Sequence, residues 1–156
     1  MKGNPKIITK LNELLAEELT AINQYMVHSE MCDNWGYVKL HKAIEKIAID
    51  EMKHAEKLIG RILFLEGLPT VSKLNKMNIG DSPQAILAND LASEGDAVPS
   101  YNAGILLANE LKDAGTRELL EHILKDEEAH TDWLESQRDQ IAQMGIGQYL
   151  SQQVED

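Results

Sequence analysis

The stretch IDEMKHAEKLIGRILFLEGLP, residues 49–69, repeats apolar residues at the three- and four-residue spacing of one helix face. Glu51 and His54 occupy that same face, at positions where the pattern calls for core residues. Because burial of an unpaired carboxylate costs several kcal/mol, a glutamate in this position needs a compensating partner. Gly67 and Pro69 are expected to end the helix.

A second copy of this arrangement follows at a fixed interval of 76 residues. The interior charged positions repeat in three pairs: Glu18 and Glu94, Glu51 and Glu127, and His54 and His130. Other positions repeat at the same interval: Leu11 and Leu87, Leu15 and Leu91, Tyr25 and Tyr101, Ile47 and Ile123, Asp50 and Asp126, and Leu58 and Leu134. The chain therefore has the pattern of two helical hairpins related by a pseudo-two-fold axis.

Four long helices and no strands are predicted from the periodicity. They are expected from Asn4 and Pro5 to about residue 33, at about 35–65, from Ser82 and Pro83 onward, and from about 113–115 until Gly145 and Gly147 interrupt the last one. A short fifth helix is predicted at 148–153. Pro99 is expected to bend the third helix or to break its hydrogen bonding locally.

The connections between the helices predict the topology. The turns at 33–36 and 113–115 are short, so each pair of helices should form an antiparallel hairpin. Residues 66–82 carry no helical stripe, and fully extended they reach about 55 Å, more than the roughly 42 Å of a helix of about 28 residues. We therefore expect an all-α four-helix bundle, two antiparallel hairpins joined by one long crossover plus a short C-terminal helix, as a single domain over residues 1–156.

The hairpins place the interior charges at one height. The midpoint between Glu18 and either Glu51 or His54 falls on residues 34–36, in the first predicted turn. Four carboxylates neutralise two divalent cations, and mixed carboxylate–imidazole ligation suits iron or manganese, with zinc as a substitute. A lone Glu from each of two helices and Glu-x-x-His from the other two is the pattern of di-iron carboxylate bundles. The predicted metal ligands are Glu18, Glu51, His54, Glu94, Glu127 and His130.

The overall composition excludes several other classes of protein. Cys32 is the only cysteine, so neither an internal disulfide nor a cysteine-only metal cluster is expected. The net charge of −11 comes without a basic patch, so no nucleic-acid partner is expected. No apolar run approaches the ~18 residues of a membrane span, and the N-terminus lacks a secretory signal, which favours the cytoplasm. The acidity serves either solubility or the attraction of cations.

Over essentially its whole length the chain resembles the bacterioferritins. The similar stretches are MKGNPKIITKLNELLAEELTAINQYMVH at 1–28, the stretch at 49–69, and KDEEAHTDWLE at 125–135. The resemblance implies that the six residues bind two iron ions, with Glu51 and Glu127 bridging. It also implies ferroxidase activity, in which O₂ or peroxide oxidises Fe²⁺, and a ferric mineral stored in a hollow shell of twenty-four subunits built from two-fold dimers.

The resemblance further implies haem b at the two-fold interface, with Met52 as the axial ligand from each subunit. Met52 follows Glu51 by one residue, about 100° around the helix, and so points toward a neighbouring subunit. From the sequence pattern alone, Met52 is interpreted as an interface methionine. Haem there would assist iron release, with a ferredoxin-type reductant. Lys46 stands where some members of the family have a histidine, which together with the aspartate at Asp50 binds iron on the inner surface of the shell. Leu58 stands where some members have a tyrosine.

Several other residues that could have a role lie outside the predicted ligand set. Tyr25 is either a core residue or a hydrogen-bond partner of a ligand, and Trp133 is expected to be mainly a core residue. Cys32 is expected to be an inert thiol near a helix end. Asp50 and Asp126 either guide iron or are solvated. Three histidines outside the repeat are expected at the surface or an interface: His28, His41 and His122.

Two rival functions share the ligand pattern. A di-iron peroxidase or oxygenase would need a substrate pocket and usually a longer chain, and a rubrerythrin would need a Cys-x-x-Cys domain that one cysteine cannot supply. A mini-ferritin shell places its ligands across a subunit interface, whereas this chain carries a complete set. The sequence therefore favours an iron-storage ferroxidase.

Overall fold

The computed structural model describes residues 1–155, and they contain five helices and no strand. The helices are α1 Pro5–Asn34, α2 Val38–Phe64, α3 Pro83–Glu110, α4 Ala114–Met144 and α5 Ile146–Ser151. Within this range, none of the helices combines the length and apolarity that a bilayer span requires. The predicted all-α architecture is confirmed.

Capping side chains start three of the four long helices where the sequence predicts. Asn4 accepts from the Lys6 amide at 2.8 Å, Ser82 accepts from the Ala85 amide, and the Asp113 carboxylate accepts from the Thr116 amide. Each bond satisfies one of the free amides of a first helical turn. α3 continues through Pro99 without interruption.

Two predicted bounds are wrong, and in both cases a glycine explains the shift. α2 begins at Val38 and not near Trp35, because Gly36 adopts a φ of +85° and turns the chain out of α1. α5 begins at Ile146 and not at residue 148, because Gly145 ends α4 with a φ of +83° and the chain re-enters helix at once. Gly36 and Gly145 therefore set the corners at this end of the bundle.

The two hairpins pack as predicted. α1 packs most extensively against α2, and α3 against α4, while α1–α3 and α2–α4 contacts join the hairpins. Their apolar side chains form two clusters, one around Leu11, Leu58 and Leu120 and one around Ile44 and Leu134. Every long helix passes from one cluster to the other through the segment that carries its interior glutamate, so a charged layer separates two apolar cores.

The crossover, residues 66–82, lies along α1. Four α1 side chains bond to its backbone in order: Asn12 to Leu68 and Thr70, Thr20 to Asn75, Gln24 to Asn78, and His28 to Gly80. These tethers span sixteen residues of α1, about 24 Å of helix. The crossover therefore runs along the bundle and joins two hairpins, as its length predicts.

Candidate metal centre

The six predicted ligand residues converge in the charged layer between the two cores. Each helix contributes from its middle: Glu18 from α1, Glu51 and His54 from α2, Glu94 from α3, and Glu127 and His130 from α4. All six are buried, with exposed fractions between 0% and 6%. The structure therefore brings together every residue of the predicted set.

Two overlapping groups of possible metal-binding atoms occur within the set. One comprises Glu18, Glu51, His54 and Glu127, and the other Glu51, Glu94, Glu127 and His130, with the atoms of each group within 4.8 Å of one another. The two imidazoles face the shared carboxylate of Glu51, since its Oε1 lies 3.3 Å from the Nδ1 of His54 and 3.2 Å from the Nδ1 of His130. Glu51 and Glu127 belong to both groups, so their carboxylates lie within reach of both possible metal positions.

The inward-facing atoms of the cluster have no hydrogen-bond partner within residues 1–155. They are Glu18 Oε2, Glu51 Oε1, Glu94 Oε2, both oxygens of Glu127, and the Nδ1 atoms of His54 and His130. Each such buried polar atom costs about 1–3 kcal/mol if it stays unsatisfied. A pair of divalent cations is the partner that carboxylate oxygens and imidazole nitrogens at these positions would take, so the residues present fit two metal ions.

Two tyrosines hold the outer oxygens of the terminal glutamates. The Tyr25 hydroxyl donates to Glu94 Oε1 at 2.6 Å, and the Tyr101 hydroxyl donates to Glu18 Oε1 at 2.5 Å. Tyr25 is therefore a partner of a predicted ligand, but of Glu94 on the other hairpin and not of nearby Glu18. Tyr101 had no predicted role, although its position 76 residues after Tyr25 marks it as the equivalent residue of the second hairpin.

Asp50 and Asp126 orient the two histidines. The Nε2–H of His54 donates to Asp126 Oδ2 at 2.7 Å, and the Nε2–H of His130 donates to Asp50 Oδ2 at 3.0 Å. This leaves each Nδ1 free to face the carboxylate cluster. The aspartates are therefore neither simply solvated nor isolated, because each fixes the ring orientation of a histidine on the opposite hairpin.

Crowding of the carboxylates shifts their pKa values and those of the histidines. Burial, reinforced by the charge of Glu51, holds the pKa of Glu18 well above its usual range, and burial also raises that of Glu127. Burial disfavours charged imidazoles, but the adjacent glutamates outweigh it and raise the pKa of His54 to about 10 and that of His130 to about 11. Without cations the cluster therefore retains protons that metal ions would displace.

Comparison with known proteins agrees with this geometry. A family model described as a ferritin-like domain matches residues 8–144. Bacterioferritin from Brucella melitensis is 41% identical over 149 residues, which cover 96% of this chain and 92% of that protein. Bacterioferritin BfrA of Mycobacterium tuberculosis is 41% identical over 152 residues, covering 97% and 96%. That of Rhodobacter capsulatus is 44% identical over 137 residues, covering 88% and 85%.

The chain belongs to the bacterioferritin family. The resemblance inferred from the sequence is thereby confirmed, as is a ferritin-like four-helix fold. Membership in this family supports a role in iron storage.

Two cavities approach the centre of this bacterioferritin-family chain from opposite sides. One, of about 240 Å³, is bounded by the crossover at Asn75, Lys76 and Asn78 and reaches four of the glutamates. The other, of about 280 Å³, lies between α2 and α4 beside Asp50 and His130. Beside the second cavity, the Nζ of Lys46 lies 3.4 Å from Asp50 Oδ2, so a cationic group occupies the side facing Asp50.

The position of His28 differs from the one predicted from the sequence. It was expected at the surface or an interface, but it is fully buried. Its Nδ1–H donates to Asp90 Oδ1 at 2.8 Å, and its Nε2 accepts from the Gly80 amide of the crossover at 3.0 Å. The prediction was wrong because the burial of His28 depends on contacts with a loop that is distant in the sequence, and such contacts leave no periodic pattern. His122 is exposed as expected, whereas His41 is mostly covered.

The remaining predicted residues lie away from the inward-facing cluster. Met52 is 44% exposed on the outer side of α2. Trp133 is partly buried against the second apolar cluster, which fits the packing role. Cys32 is fully buried at the end of α1, and burial raises the pKa of its thiol to about 12, so the reactive thiolate is disfavoured and the expected inert character follows.

Proposed function

We propose that this protein is an iron-storage ferroxidase, a single ferritin-like domain over residues 1–156 whose catalytic residues are the six interior ligands. Two Fe²⁺ ions bind in each subunit, O₂ or peroxide oxidises them, and the ferric product is stored as mineral inside a shell of twenty-four copies. The observation that carries the proposal is the inward-facing set of unpartnered carboxylate and imidazole atoms. Such a set is unfavourable unless cations occupy it.

The two overlapping groups support a specific division of the ligands between two iron ions. Glu18 and His54 hold one iron, Glu94 and His130 hold the other, and Glu51 and Glu127 bridge the pair, since only these two belong to both groups. Four carboxylates balance the charge of two Fe²⁺ ions. The near-neutral total permits burial of the loaded site between two apolar cores.

The surrounding residues prepare the site for oxidation. Two Fe²⁺ ions would supply two electrons, which with two protons from solvent would reduce one O₂ to H₂O₂, or one H₂O₂ to two water molecules. Tyr25 and Tyr101 fix the terminal glutamates, while Asp50 and Asp126 fix the imidazoles. Because these hydrogen bonds exist before iron arrives, the ligands need little rearrangement to accept it.

A haem b group shared through Met52 of two subunits fits the outer face of the hairpin. Met52, Ile49 and Met26 expose 44%, 42% and 49% of their surfaces on α1 and α2. Exposed apolar residues of this kind suit coverage by a partner subunit, and a methionine thioether is a haem ligand. Haem bound there would supply electrons from a ferredoxin-type reductant, and Met52, adjacent to Glu51 in the chain, would hold it beside the iron site.

Two structural features weigh against the rival functions. The 240 Å³ cavity beside the centre is lined mainly by acidic and amide side chains, which suits a cation and not an organic substrate of an oxygenase. All six ligand residues come from one chain, whereas a mini-ferritin site would be completed by a neighbour. Iron storage is therefore the function that the site supports best.

An aerobic iron-loading assay coupled to size and absorbance tests the proposal. We expect a very large assembly that oxidises Fe²⁺ rapidly and accumulates an amber mineral. Glu18→Ala and His130→Ala should abolish the fast phase while the size of the assembly is unchanged. A monomer without iron oxidation would overturn the proposal, and unchanged rates in both variants would show that the ligand assignment is wrong.

A further inference from the structure

A second group of possible metal-binding side chains lies outside the centre, on the α1–α2 hairpin. It consists of Glu30 on α1 and of His41 and Glu45 on α2, each of which offers one atom within 4.8 Å of the others. Glu30 is twelve residues beyond Glu18 on α1, which separates the two positions by about 18 Å along the helix. The group is therefore distinct from the six interior residues.

The His41 ring is held in an orientation suited to metal binding. Its Nδ1 lies 3.0 Å from the carbonyl oxygen of Ser29, to which the Nδ1–H donates. Ser29 is buried, and its hydroxyl oxygen also lies 3.0 Å from the same nitrogen. With the proton on Nδ1, the lone pair of Nε2 faces outward to the two glutamates. Histidines that bind metals characteristically donate their other ring N–H to a carbonyl or carboxylate in this way.

The contact between His41 and Glu45 has the length of a weak ion pair and not of a hydrogen bond. The Nε2 of His41 lies 3.7 Å from Glu45 Oε2, beyond the distance at which a protonated imidazole donates a hydrogen bond to a carboxylate. The side chain of Glu30 makes no hydrogen bond or ion pair with another residue in the range 1–155. Two carboxylates thus lie within 4.8 Å of the His41 ring, and neither is hydrogen-bonded to it.

We infer that Glu30, His41 and Glu45 form a surface site for one divalent transition-metal ion, such as Zn²⁺, Co²⁺ or Fe²⁺. One nitrogen and two carboxylate oxygens suit these ions, and water completes the coordination. Metal–ligand bonds of about 2.0–2.2 Å require the three atoms to approach to roughly 3–4 Å. The side chains of Glu30 and Glu45 are exposed and can rotate by the necessary amount, while the buried Ser29 contact keeps the imidazole fixed.

Counting the bound ions tests the site. The full-length assembly is stripped of metal, dialysed against Co²⁺, and its cobalt is measured per chain alongside its visible absorption. We expect the wild type to bind one more cobalt ion per chain than either His41→Asn or Glu45→Gln. In both variants the absorbance on the high-energy side of the visible cobalt spectrum should also be lower. His122→Asn replaces an exposed histidine outside the group and should bind as much cobalt as the wild type.

Two further measurements make the result independent of the proposed iron centre. Glu94→Gln combined with Glu127→Gln should lose the interior cobalt and keep the ion at His41. Anomalous diffraction from a cobalt-soaked crystal should show a peak next to His41 Nε2. The inference is overturned if His41→Asn binds as much cobalt as the wild type, or if the crystal shows interior peaks and none at His41.

Discussion

The Nε2 of His54 on α2 lies 2.7 Å from Oδ2 of Asp126 on α4, so a residue of the second hairpin orients a ligand histidine of the first. The converse contact joins His130 to Asp50 at 3.0 Å. Each hairpin therefore depends on the other for the alignment of its imidazole. The pseudo-two-fold symmetry relates not only the ligands but also the groups that hold them in place.

Asp126→Asn should weaken iron binding and slow the initial oxidation by about 10- to 100-fold, the usual effect of removing a carboxylate that orients a ligand histidine. The side-chain amide of asparagine can present its NH₂ group to the imidazole of His54, which would rotate the ring or change how strongly it binds metal. Asp132→Asn changes the same charge on an exposed position of α4 and should leave the rate unchanged. Equal rates in the two variants would contradict the orienting role.

Tyr25→Phe and Tyr101→Phe should each lower the affinity of the centre for Mn²⁺ or Fe²⁺ by about 10- to 100-fold. Each change removes a hydrogen bond to a glutamate, and bonds to charged groups contribute about 1.5–3 kcal/mol. Tyr149→Phe is the matched control, because Tyr149 is equally buried and donates to Gln137 away from the centre. It should reduce stability without altering metal affinity; a similar loss of affinity in this control would remove the specific role of the two tyrosines.

Metal-free protein should lose stability as the pH rises from about 5.5 to 9. The raised pKa values of Glu18 and Glu127 mean that the folded chain keeps protons which the unfolded chain releases above about 4.5. The raised values of His54 and His130 act in the same direction, because their stabilising effect is complete below about 6.5 and is lost as the pH rises through about 10 and 11.

Thermal unfolding at constant chain concentration measures this effect. Saturation with Mn²⁺ should remove the decline, because cations replace the retained protons and bind more strongly as the ligands ionise. Glu18→Gln combined with Glu127→Gln should also flatten the metal-free profile. A metal-free melting temperature that stays constant or rises over the same pH range would contradict the raised pKa values of Glu18 and Glu127.

Met52→Leu should abolish the haem Soret band while ferroxidase activity is retained, since leucine fills a similar volume but has no sulfur ligand. Met26→Leu, another exposed methionine of the same hairpin, should keep the band. The measurement is the ratio of Soret to protein absorbance after reconstitution with haem. Retention of haem in Met52→Leu would refute the assignment of this axial ligand.

Gly115→Ala should destabilise the fold by about 1 kcal/mol, at the low end of the cost of overpacking, because the new Cβ displaces a side-chain end and not backbone. A Cβ at this position would lie 2.6 Å from Arg61 Nη2, and Arg61 is held there by Asp113 and Thr116. Gly60→Ala, also within a helix, meets nothing within 4 Å and should instead stabilise by about 0.5–1 kcal/mol. Chemical denaturation of the two variants compares them directly, and equal effects would contradict a tightly held guanidinium.

The helices, the topology and the set of converging ligands could be predicted because each leaves a periodic trace in the sequence. Glu18 and Glu51 interrupt apolar stripes, and the 76-residue repeat shows that the interruptions are systematic. Helix-capping residues such as Asn4 and Ser82 act on amides only a few positions away. Local rules therefore suffice for these features.

The features that the sequence missed depend on contacts between distant segments. The burial of His28 follows from its bonds to Asp90 and Gly80, more than fifty residues away. The pairing of Tyr25 with Glu94 similarly requires knowledge of which helices face each other across the bundle. The predicted start of α2 was misplaced because Gly36 adopts a left-handed backbone conformation, which a glycine can adopt but need not.

The crossover has a consequence for how the chain tolerates insertions. An ordinary surface loop accepts additional residues at little cost, because closure entropy grows slowly with length. Here the backbone amides of Thr70, Asn75, Asn78 and Gly80 each meet a particular α1 side chain. One extra residue between two of these tethers would have to bulge outward or displace every later bond. Peptide tags and fused domains are therefore better placed at the chain ends than in this segment.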